Sequence, residues 1–71
     1  MKLYPNPSKN SLTISGLKTK QTYSVYTILG TKVFSGNLSQ NNNTIDVQEL
    51  SSGLYILKLE GLKKAMKFTK L

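Results

Sequence analysis

At 71 residues the chain is long enough for one small domain, and with neither cysteine nor histidine it lacks a disulfide framework and the commonest zinc ligands, so an apolar core must hold it. Its net charge of +7 comes from ten lysines against Asp46, Glu49 and Glu60. The absence of arginine argues against sequence-specific nucleic-acid recognition, which relies on bidentate guanidinium contacts, and no stretch approaches the ~20 apolar residues of a membrane-spanning helix.

Lys2 to Tyr4 reads as a short edge strand that stops at Pro5-Asn6-Pro7, because each proline lacks an amide donor and pushes its predecessor out of the helical region. Ser11 to Ser15 places Leu12 and Ile14 on one face, and Gly16 breaks the run. Thr22 to Leu29 is the strongest strand signal, with Tyr23 and Val25 on one face and Tyr26 and Ile28 on the other. Gly30-Thr31 supplies a turn into Lys32 to Ser35, the second arm of a hairpin, and Asn37 to Asn43 reads as a polar loop. Thr44 to Val47 turns Ile45 and Val47 inward and Asp46 outward. Ser51-Ser52-Gly53 is a second tight turn. Leu54 to Glu60 is apolar on both faces at its start, the mark of a central strand.

Gly61-Leu62 then turns the chain into Lys63 to Leu71, with Met66 and Phe68 as the inward pair. This tail also has a helical reading, in which Leu62, Ala65, Met66 and Thr69 form one face and lysines the other. The flanking strands favour the extended form. Short strands separated by glycine and asparagine turns predict an all-β fold, a two-layer antiparallel sandwich with Greek-key connections.

Catalytic constellations are poorly provided for. Three scattered carboxylates without histidine make a weak acid–base set, the serines form neither a Gly-x-Ser-x-Gly elbow nor a Ser-x-x-Lys helix, and the five glycines read as single turn residues. Asp46 with Glu49 is too sparse for a calcium loop, so neither enzyme activity, a metal nor a cofactor is expected.

Four motifs carry a resemblance that covers essentially the whole chain. Leu3-Tyr4-Pro5-Asn6-Pro7-Ser8, Tyr26-Thr27-Ile28-Leu29-Gly30-Thr31-Lys32-Val33, Leu50-Ser51-Ser52-Gly53-Leu54-Tyr55-Ile56-Leu57 and Lys67-Phe68-Thr69-Lys70 resemble, in order and spacing, the type A C-terminal sorting domain of the type IX (Por) secretion system. The resemblance implies a seven-stranded antiparallel immunoglobulin-like β-sandwich at the carboxyl end of secreted proteins of Bacteroidota. It implies cargo that enters the periplasm by an amino-terminal signal peptide and is directed by this domain through an outer-membrane translocon to the cell surface or medium. A sortase-like peptidase then usually removes the domain and joins the cargo to a lipopolysaccharide anchor.

By position, the resemblance assigns partner recognition to Pro5, Asn6, Pro7, Lys63, Lys67, Phe68, Lys70 and Leu71, and structural roles to Gly30, Gly53 and Tyr55. The implied partners are the translocon, the peptidase and the attached cargo, with no nucleic acid and no stable membrane insertion. Residues 1–71 are then expected to be one sorting domain excised from the end of a larger secreted protein, since no apolar export signal follows Met1. The alternative is an accessory adhesion or carbohydrate-binding module, which would bind sugar through exposed tyrosines such as Tyr4 and Tyr26.

Overall fold

The alternating pattern produces seven strands in the computed structural model, which describes residues 2–71: β1 (Lys2–Tyr4), β2 (Ser11–Ser15), β3 (Gln21–Thr27), β4 (Lys32–Leu38), β5 (Thr44–Asp46), β6 (Gly53–Leu59) and β7 (Lys64–Lys70). They form a three-stranded sheet in the order β1-β2-β5 and a four-stranded sheet in the order β4-β3-β6-β7, with every neighbouring pair antiparallel. The chain changes sheet between β2 and β3, between β4 and β5, and between β5 and β6, which is the Greek-key wiring expected of the sandwich.

Each sheet contributes the inward half of its alternation to the core. Leu12, Ile14 and Ile45 from the smaller sheet face Val25, Leu57, Leu59 and Phe68 from the larger, and all are almost fully buried. β6 lies inside the four-stranded sheet, as its two apolar faces predict. On its inner face Tyr55 stacks on Phe68 with centroids 5.7 Å apart, and the Tyr55 hydroxyl donates to the Ser51 carbonyl oxygen at 2.7 Å. This is the tyrosine corner of such sandwiches, tying the sheet-to-sheet crossing to the strand that follows it. Tyr55→Phe is expected to lower stability by about 1 kcal/mol, read as a shift in the urea midpoint.

Four details differ from the sequence reading. β3 ends at Thr27, because the Thr27 N–H donates to the Thr31 carbonyl oxygen at 2.8 Å and closes the hairpin, leaving Ile28 and Leu29 exposed in its turn. Gly30 sits in that turn at φ +95, where a Cβ is disfavoured by the backbone itself. β4 continues to Leu38, so Gly36 belongs to a strand and not to a turn, and the polar loop narrows to a Ser39–Asn42 bridge. The reason is a side chain: the Tyr23 ring lies over Gly36, so close that a Cβ there would stand 2.9 Å from it, and meets Phe34 edge-on at 6.2 Å.

The fourth difference concerns the turn before β7. A 3-10 turn over Glu60–Leu62 precedes Lys63, whose φ of 50 places it in the turn and not in the strand. β7 itself pairs with β6 without interruption from Leu59↔Lys64 to Gly53↔Lys70, which rules out the helical reading of the tail.

Burial raises the Tyr23 phenol above its ordinary value of 10.0. The folded state therefore holds this proton more tightly than the unfolded chain. The resulting stability is fully present below about pH 10 and is lost as pH rises through that value towards the folded one. Urea midpoints taken at about pH 9 and pH 11 should fall more steeply in the native chain than in Tyr23→Phe.

Candidate functional site

The amino-terminal proline segment and the last strand, far apart in sequence, are neighbours in space. After β1, Pro5-Asn6-Pro7 leaves the three-stranded sheet and brings Ser8 against the outer edge of β7 in a parallel bridge to Lys70. The Ser8 N–H donates to the Thr69 carbonyl oxygen at 2.8 Å, and the Leu71 N–H donates to the Ser8 carbonyl oxygen at 2.8 Å. The Thr69 N–H donates to Asn6 Oδ1 at 3.0 Å, so this side chain supplies the acceptor that extends the closed edge beyond Ser8. Ser8 is fully buried, and its hydroxyl donates to the Pro5 carbonyl oxygen.

Backbone groups along a strand point alternately to its two sides. Thr69 directs its N–H and carbonyl away from β6, and the register is unbroken, so Lys67 and Ala65 direct theirs outward as well. β7 is the last strand in its sheet, and among the described residues no strand or side chain pairs with this stretch. The last strand thus has a closed half, at Thr69 and Leu71, and an open half, at Ala65 and Lys67. Lys63, Lys64 and Lys67 are exposed along the open half.

Strand parity divides the residues assigned to recognition. Phe68 is 1 % exposed and forms part of the core; the folded domain cannot present it to a partner. Lys70 is 8 % exposed, on the inner face opposite Gly53, and its ammonium donates to the Leu71 carbonyl oxygen at 2.9 Å. Both are placed inside because they share the inward parity of Met66. Lys63, Lys67 and Leu71 lie at the surface, as do Pro5, Asn6 and Pro7, with Asn6 also bonded to the edge it lies against. Gly53 opens β6 at φ +151, a conformation suited to glycine.

Sequence reasoning placed Asn6 in the proline motif but did not anticipate its bond, since the partner amide lies 63 residues away. It also missed Lys58, whose ammonium sits 4.9 Å from the Tyr26 ring centroid on the outer face of the four-stranded sheet. Tyr4 belongs to the other sheet, so the two tyrosines do not make a common platform for a sugar ring. Among the described residues no three histidine, cysteine, aspartate or glutamate side chains gather as a metal site.

The fold and this terminal edge define an immunoglobulin-like β-sandwich of seven strands, with its first and last segments laid side by side. The family model described as the secretion system C-terminal sorting domain matches residues 2–71, and the chain belongs to that family, the C-terminal sorting domains of type IX secretion. No curated protein and no solved structure matches it. Membership makes the domain a secretion signal of the type IX system, acting with that machinery on an upstream cargo bound for the cell surface or the medium.

Proposed function

We propose that the folded domain is a non-catalytic signal read in trans by the type IX translocon at the open half of β7, through strand addition at Ala65 and Lys67 and ionic contacts from Lys63 and Lys67. The observation that carries this reading is the half-closed edge: Asn6 and Ser8 hold Thr69 and Leu71, while the next outward-facing positions remain free. A partner strand placed there gains main-chain hydrogen bonds, and flanking lysines select an acidic neighbour and speed encounter. In this reading residues 1–71 are the terminal domain of a larger secreted protein. Its cargo passes through the periplasm, and a sortase-like peptidase removes the domain after outer-membrane transit.

The test is delivery of a reporter carrying a signal peptide and this domain in a host with a type IX system. Lys63→Glu combined with Lys67→Glu alters two exposed side chains outside the core. It is expected to reduce surface delivery roughly tenfold. Undiminished delivery overturns the lysine part of the proposal.

A further inference from the structure

One end of the sandwich carries an apolar tip beside a row of lysines on the four-stranded sheet. The β3–β4 turn exposes Ile28 by 56 % and Leu29 by 93 %. Thr27 pairs with Tyr55, so Ile28, just beyond the end of β3, and Leu54, within β6, lie at the same end of the sheet. Leu54 pairs in turn with Thr69, and Leu71, 59 % exposed, follows two positions on. Two residues behind Ile28 and Leu54 a row of paired residues crosses the sheet, Lys32–Tyr26–Ile56–Lys67, with a lysine at either margin. Lys58 reaches the same row over the Tyr26 ring. Of the three acids, Glu60 lies at the opposite end, while Asp46 and Glu49 lie at the tip end but away from this row, on the three-stranded sheet and in the connection that leads into β6.

We infer that this tip is a peripheral docking surface for an anionic lipid bilayer. Protruding leucine and isoleucine need no preformed pocket in a fluid surface, which deforms around them, whereas a protein partner must supply a matching cavity. The lysine row stands behind the tip, at the depth of lipid headgroups when the tip enters the interface. Lysine ammoniums act as point charges, which suits dispersed headgroup phosphates without requiring the fork geometry of arginine. Neither the apolar tip nor the lysine row suffices alone; together they give reversible attachment, strengthened by anionic lipid and weakened by salt. The sorting signal brings the domain to the outer membrane, where such a surface has a use.

The test exploits the absence of tryptophan from the chain. Leu29→Trp is expected to show a blue-shifted emission with vesicles of phosphatidylglycerol mixed with phosphatidylcholine, and no shift with phosphatidylcholine alone. Leu62→Trp, at the opposite end, is expected to show none with either. In co-sedimentation with the mixed vesicles, Ile28→Ser with Leu29→Ser should weaken binding roughly tenfold. Lys32→Ala should weaken it about fivefold. Absence of vesicle binding, equal binding to the neutral vesicles, or an equal shift at position 62 overturns the proposal. Cargo delivery is a separate readout, so failure here leaves the sorting proposal standing, and failure of the sorting proposal leaves this one standing.

Discussion

Phe68→Ala is expected to leave the domain largely unfolded at 25 °C. The ring is almost wholly excluded from solvent and stacks on Tyr55 between the two sheets, so truncation removes the transfer energy of a phenyl group and opens a cavity beside the tyrosine corner. Such a change costs about 3–5 kcal/mol. A core of this size, without cross-links, supplies about 3–5 kcal/mol in total. The variant should lose the cooperative urea transition and the near-ultraviolet circular dichroism of its tyrosines. Cargo delivery should fail with it. A cooperative transition with a midpoint close to that of the native chain would show that the stack is dispensable, and delivery by an unfolded variant would show that sorting does not require the sandwich.

Ala65→Pro separates recognition from folding. Ala65 directs its N–H away from β6, so proline there removes no bond within the sheet, and its ring projects from the margin where a partner strand would pair. The expected stability change is about 1 kcal/mol or less, because proline is tolerated at non-bonded edge positions. The expected fall in delivery is roughly tenfold or more, from one lost main-chain bond together with the steric block. Native delivery by a folded Ala65→Pro domain would refute strand addition at this edge. Removal of Lys67 to Leu71 is a poorer test, because it also takes away Phe68 and the Ser8 bridge and thereby dismantles the fold.

The strands were legible in the sequence wherever a period of two met a clear break. Leu12 with Ile14, Tyr55 with Leu57 and Leu59, and Met66 with Phe68 all point where alternation predicts. What could not be read was where pairing ends. Ile28 and Leu29 look like strand continuation because β-propensity reports side-chain fit, while the end of β3 is fixed by a backbone bond between Thr27 and Thr31. Gly36 looks like a turn, and only the Tyr23 ring from the adjacent strand shows why it stays extended. At the candidate site, Lys67-Phe68-Thr69-Lys70 reads as one motif, but its residues alternate between the outer and inner faces of β7. A contiguous string is therefore split between a surface for partners and a core for stability.

The bond between Asn6 and Thr69 also sets how a passenger can be tethered. Lys2 is four residues from Asn6, at most ~14 Å of extended chain, so polypeptide joined ahead of Lys2 emerges beside the flank on which the free portion of β7 lies. A bulky folded passenger attached without slack would overshadow that flank. A flexible spacer long enough to swing it clear would restore access, making spacer length a design variable for any fusion.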